Sequence, residues 1–190
     1  MAVSREKIQR IADMLEGRIS TQELFRVIAG QKDPEAFDAL VAYFQEKVPW
    51  TERVILPLSD HLCIVSKTEG TKKKAIVKCT CGYEFEDYRV NWKVKARVYV
   101  RESSEEFHEI YPQYMHAEPG WQVLREYYCP GCLTLLEVEA VPVGYPPTFD
   151  ALPDIQTLYR DWLGRELPVD EHTFGDLTAD YVKTHFTVNH

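Results

Sequence analysis

Two short cysteine motifs constrain this chain more than anything else in it: Cys79-Thr80-Cys81-Gly82 and Cys129-Pro130-Gly131-Cys132. Each reads as a turn presenting two thiolates within a few residues. Strands that bring the two turns together complete a tetrahedral set of sulfurs. Gly82 suits a tight knuckle whose backbone N–H groups face sulfur, and Pro130-Gly131 does the same for the second pair. Zn²⁺ is the ion such a set favours, because it is redox-silent and suits tetrahedral sulfur. The expected ligands are therefore Cys79, Cys81, Cys129 and Cys132. Four thiolates close the tetrahedron and leave no position for water or substrate, so the expected role is structural. With 48 positions from Cys81 to Cys129, the intervening residues are too many for a compact ribbon and must fold as an insertion.

The first pair is C-x-C, a tighter bite than C-x-x-C. Should Cys79 or Cys81 fail to reach the ion, Asp87, His108 or His116 could complete the shell. A rubredoxin-type iron site pairs Cys-x-x-Cys-Gly with Cys-Pro-x-Cys-Gly; the short first turn and Leu133 in place of the second glycine weigh against it. Cys63, the fifth cysteine, sits between Leu62 and Ile64 and reads as a small buried hydrophobe. No Ser/His/Asp or Cys/His order around it supports nucleophilic catalysis. Four of five cysteines in two close pairs fit metal ligation in a reducing compartment better than disulfides.

Around these motifs the pattern gives an α+β chain: an N-terminal helical layer, a mostly antiparallel β region with a zinc-ribbon-like four-cysteine site, and a Pro-rich C-terminal arm with a helix. Residues 1–49 read as N-terminal helices. Ile8, Ile11, Ala12 and Leu15 mark the first, and the Ser20/Glu23 capping signal starts the second. Asp33-Pro34 starts the third, which Pro49 stops. Residues 50–141 read as the zinc-binding β region, with runs at Arg53–Leu56, Leu62–Lys67, Ala75–Lys78, Val94–Arg101, Trp121–Cys129 and Thr134–Val141. Lys72-Lys73-Lys74 is expected in a solvated turn, and Glu137 and Glu139 on a strand's wet face. Residues 142–168 form the arm and its helix. Four of the eleven prolines fall between 141 and 153, and Ile155, Leu158, Tyr159 and Trp162 then share one face. Such a helix needs a surface, either the chain's own core or a partner's. Residues 169–190, with His172, His185 and His190, read as a tail.

Several function classes are disfavoured. The net charge of −8 works against duplex or membrane binding, and the interleaved Trp92, Lys93, Lys95, Arg97 and Arg101 are a weak single-strand signal beside it. No GxGxxG or GxxxxGK[ST] announces phosphate binding. No apolar run is long enough to span a bilayer, and Met-Ala-Val-Ser-Arg-Glu-Lys leads into a charged amphipathic pattern without a signal-peptide core, so a cytoplasmic chain is expected.

A longer series of short strings has a specific order: Pro49-Trp50, Cys79-x-Cys81-Gly82, Phe85-x-Asp87, Asn91-Trp92-Lys93, Ala96-Arg97-Val98, Ile110-Tyr111-Pro112, Trp121-Gln122-Val123, Arg125 through Pro130, and Trp162-Leu163-Gly164. In that order the chain resembles the gamma (small) subunits of bacterial acetone carboxylases, from the first helix to about Pro168. The resemblance implies a hetero-oligomer of three subunit types that carboxylates acetone to acetoacetate, with bicarbonate as carbon source and ATP consumed to AMP and phosphate. It implies two larger partners (alpha and beta), related to hydantoinases and oxoprolinases, which hold the nucleotide site and a manganese centre. It implies a small subunit that carries zinc away from the chemistry; with no phosphate loop, no open metal position and no nucleophile–base pair, this chain alone is expected to be inactive. Small subunits of acetophenone-type carboxylases would look similar. A stand-alone zinc-ribbon module that binds nucleic acid or protein is the competing reading.

Overall fold

The computed structural model describes residues 3–112, 115, 116 and 118–186. The chain forms two compact units. One comprises Met1–Ala75 with Asp154–His172, the other Ile76–Pro153 with Thr173–His190. Among the described residues no helix is long and apolar enough to cross a membrane. The mixture of helices and antiparallel strands is α+β.

The first unit begins with helices α1 (Arg5–Leu15), α2 (Thr21–Ala29) and α3 (Pro34–Lys47). Local chemistry sets their starts. Ser4, Ser20 and Asp33 each accept a first-turn backbone N–H, and Pro34 occupies the first turn of α3 where its missing N–H costs nothing. Helix α3 packs on α1 and on strand β1 (Arg53–Pro57). Strand β1 pairs antiparallel with β2 (Leu62–Glu69), in the register Val54 to Val65 and Leu56 to Ile64. The register shifts between Val54 and Leu56, so Ile55 has no partner on β2. Val54, Ile55, Leu62, Ile64 and Val65 supply much of the core, and Cys63 is fully buried among them. The C-terminal arm returns here. Helix α5 (Ile155–Thr157) continues as a π-turn over Leu158–Trp162. The helix lies on the chain's own core: Ile155 and Tyr159 are buried, and Tyr159 packs edge-on against Phe37. Trp162, expected on the same face, is 56% exposed, because the wider π-turn rotates it off the i, i+4 line of the other two.

The chain leaves the first unit inside strand β3 (Lys72–Cys79). The three lysines expected in a turn open this strand instead; they are exposed, with Lys74 paired to Glu69. The turn itself is at Gly70, whose φ of 63° favours glycine. In the second unit β3 pairs antiparallel with β4 (Glu84–Asp87), joining Ile76 to Asp87 and Lys78 to Glu84. The alternating run expected as one strand over Val94–Arg101 is divided. Asn91 caps a 3₁₀ turn over Trp92–Lys95, and the strand that follows, β5, covers Arg97–Arg101. After α4 (Ser104–His108), with its Ser103/Glu106 capping box, β6 (Gln122–Tyr128) lies between β5 and β7 (Leu135–Pro142) in a three-stranded antiparallel sheet. Pro142 occupies the last position of β7, an edge strand, where a missing donor is tolerated. Four rings join the β4 hairpin to this sheet edge to face: Tyr83–Phe85 at 5.0 Å, Phe85–Trp92 at 5.8 Å and Trp92–Tyr127 at 5.9 Å between centroids.

No periodicity marks the end of the sequence, yet most of it is structured. Pro168 accepts from the Ser66 hydroxyl, Asp170 bonds the backbone of Lys73 in both directions, and Val169 is buried. Helix α6 (Thr178–His185) is tied down by the bond from Leu177 N–H to the Arg89 carbonyl and by Thr178 Oγ1, which accepts the Asn91 N–H. His172 and His185 contact nearby carbonyls; His190 lies outside the described residues.

Candidate metal centre

The first knuckle closes the β3–β4 hairpin. Cys79 N–H donates to the Tyr83 carbonyl, Gly82 N–H donates back to the Cys79 carbonyl, and Gly82 turns the chain at φ 105°. The second knuckle closes the β6–β7 hairpin, with Cys129 N–H on the Thr134 carbonyl and Leu133 N–H on the Cys129 carbonyl. Leu133, at the position where the rubredoxin-type pattern has glycine, holds a left-handed φ of 59°.

These hairpins bring the four predicted cysteines together. One ligand atom from each of Cys79, Cys81, Cys129 and Cys132 falls within a span of 4.8 Å, with Cys79–Cys132 at 3.9 Å and Cys81–Cys129 at 3.7 Å. Four sulfurs about 2.3 Å from a central ion in a tetrahedron stand about 3.8 Å apart, so the donor set fits a tetrahedral thiolate-bound ion. The short C-x-C turn brings both of its sulfurs into the cluster. Gly131 makes the approach possible: a Cβ on it would lie 3.1 Å from Tyr83 Cβ and 3.4 Å from Cys81 Sγ.

Cys79 and Cys129 are buried, whereas Cys81 and Cys132 reach the surface. Burial pushes the thiols of Cys79 and Cys129 up. Cys132 moves the other way, to about 6. Desolvation opposes this, but hydrogen bonding with the Thr134 side chain and backbone, and with Cys81 and Cys129, outweighs it. Thr134 is a site residue that sequence reading missed; its place two positions after the second knuckle was the available signal. The replacement ligands considered above lie elsewhere. Asp87 pairs with Arg89 at 2.8 Å, and His108 and His116 face each other with their Nε2 atoms 3.0 Å apart. Cys63 stands outside the cluster, its thiol pushed up to about 12 by burial.

A second charged constellation was not expected. Lys93, fully buried, places its ammonium 2.6 Å from Glu137, 3.4 Å from Glu139 and 3.0 Å from Asp150, and donates to the Thr148 carbonyl. Glu137 and Glu139 thus turn inward rather than to a wet face, and the arm is tied to β7 by a lysine from the 3₁₀ turn. Burial pushes the Glu137 carboxyl up to about 7 against the opposing pull of Lys93. Of the interleaved aromatic and basic residues, Trp92 and Lys93 are in the core, and Arg101 is ion-paired with Glu126 at 2.8 Å.

Against known proteins, a family model described as acetone carboxylase gamma subunit matches residues 48–163, which include all four clustered cysteines. The acetone carboxylase gamma subunit of Xanthobacter autotrophicus is 44% identical over 171 residues, covering 90% of this chain and 98% of that one. This chain belongs to the acetone carboxylase gamma subunit family. The acetophenone carboxylase beta subunit of Aromatoleum aromaticum is 33% identical over 84 residues, which cover 41% of this chain and 62% of that protein. Helices α1 to α3 of this gamma-family chain precede the residues that the family model matches.

Proposed function

We propose that this chain is the small, zinc-carrying subunit of a cytoplasmic, ATP-dependent ketone carboxylase that converts acetone and bicarbonate to acetoacetate. The observation that carries the reading is the 44% identity to an acetone carboxylase gamma subunit over nearly the whole of both chains. Acetone is preferred to acetophenone as substrate because the acetophenone carboxylase relative is similar over only 84 residues and at lower identity.

One zinc is held by Cys79, Cys81, Cys129 and Cys132. Four thiolates saturate a tetrahedral ion, so it joins the β3–β4 hairpin to the β6–β7 hairpin and offers no position to substrate. Its contribution is folding free energy. The chemistry, with ATP and manganese, belongs to two larger partner subunits, alpha and beta, and this chain serves assembly. Neither nucleic acid nor a membrane has a part in the reading.

The test is co-purification and activity. Expressed with its larger partners, the chain is expected to elute with both, and alone it is expected to show no ketone-dependent ATP hydrolysis. Hydrolysis by the chain alone, or full carboxylation by the large subunits without it, would overturn the proposal.

A further inference from the structure

Within the first unit, α2 has an apolar surface that its own layer does not cover. None of its residues is buried; Phe25 is 66% and Ile28 70% exposed. Between α1, α2 and the start of α3 lies a groove of about 500 Å³, with Ile11, Met14, Val27 and Ile28 among its apolar walls.

The charge around it is the more telling feature. Lys7, Arg10, Arg26 and Lys32 line the groove against only Glu23 and Asp33, on a chain whose net charge is −8. The two carboxylates are engaged locally: Asp33 caps α3, and Glu23 is bonded to Ser20. Two of the cations are engaged as well. Lys7 pairs with Glu35, and the Lys32 ammonium stands 3.1 Å over the ring of half-exposed Trp162. The guanidinium groups of Arg10 and Arg26 have no ion-pair or hydrogen-bond partner among the described residues. Two unpaired guanidiniums beside an apolar groove match a ligand with carboxylates flanking apolar anchors. The apolar surface runs beyond the groove along α2 to Phe25, and Trp162 borders its Lys32 rim. That extent suits a length of polypeptide better than a small anion.

We infer that this groove receives an acidic, apolar-anchored segment of a larger carboxylase subunit, with Arg10 and Arg26 pairing its carboxylates and Ile28 seating against its apolar side chains. The inference rests on the subunit reading above and adds where the partner docks and by what chemistry.

The experiment is co-elution of this chain with its two larger partners after coexpression, at low and at high salt. The chains compared are the wild type, R10E/R26E, R10K/R26K and Ile28→Asp, with helicity and metal content measured on each. R10E/R26E and Ile28→Asp are expected to remain folded and metal-loaded and to bind about tenfold or more weakly. R10K/R26K should keep most of the binding, and the wild-type complex should weaken as salt rises. Wild type that fails to co-elute would defeat the subunit reading, and this inference with it. Wild type that co-elutes while folded R10E/R26E and Ile28→Asp do so equally well would defeat the groove alone. A dimer of this chain that is lost in R10E/R26E would overturn the choice of partner in favour of a second copy.

Discussion

The Tyr159 hydroxyl donates a 3.0 Å hydrogen bond to the Ile55 carbonyl, at the point where the β1–β2 register shifts. Both groups are buried. The bond fixes the returning arm to the sheet at a buried carbonyl beside that shift. Tyr159→Phe keeps the ring against Phe37 and removes only the donor. Leaving a buried carbonyl unsatisfied costs about 1–3 kcal/mol, so the urea midpoint should fall with the slope unchanged. A variant as stable as the wild type would show that the carbonyl does not depend on this hydroxyl.

Lys93 and its carboxylates give two contrasting variants. Lys93→Met leaves Glu137, Glu139 and Asp150 together without their cation, and breaking a buried pair from one side costs about 3–5 kcal/mol. Glu137→Gln should be far milder near neutral pH, because burial already raises that carboxyl to about 7 from its ordinary 4.5.

The sign of the pH dependence follows from the same group. Between pH 4.5 and about 7 the folded chain keeps the Glu137 proton that the unfolded chain has released, so its contribution to stability falls as pH rises through that window. Asp150 is shifted down from 3.8, so its own contribution changes only at lower pH. Unfolding free energies from pH 5 to pH 8 should therefore fall more steeply in the wild type than in Glu137→Gln. Parallel curves would contradict the assignment.

Leu133→Gly should stabilise the second knuckle. Leu133 holds φ 59° with its side chain mostly in solvent, and a left-handed conformation costs a non-glycine residue about 1–2 kcal/mol. The variant should unfold at higher urea concentration with its metal content unchanged; a loss of stability would mean the exposed leucine makes contacts that outweigh the strain.

The parts of this fold legible in the sequence are those set by neighbours a few residues apart. Ser20 with Glu23, and Asp33 followed by Pro34, place two helix starts from local hydrogen bonding alone. The knuckles are legible for the same reason, since each is a turn whose geometry its own residues determine. What escaped reading depends on partners far along the chain. The alternation from Val94 to Arg101 has strand period, but the Asn91 cap and the burial of Trp92 and Lys93 turn its first half into a 3₁₀ segment. Glu137 and Glu139 alternate like a wet face, and a lysine more than forty positions earlier turns them inward. Helix α6 is held by bonds to Arg89 and Asn91, which no pattern within its own eight residues reveals.

Elemental analysis of the purified native chain tests the central claim most directly, with Cys132→Ser and Cys63→Ser measured beside it. One zinc per chain is expected, lost or much reduced in Cys132→Ser. Cys63→Ser should retain it, because Cys63 is buried in the first unit apart from the sulfur cluster. Native protein without zinc, or equal loss in the two variants, would contradict the four-cysteine zinc centre.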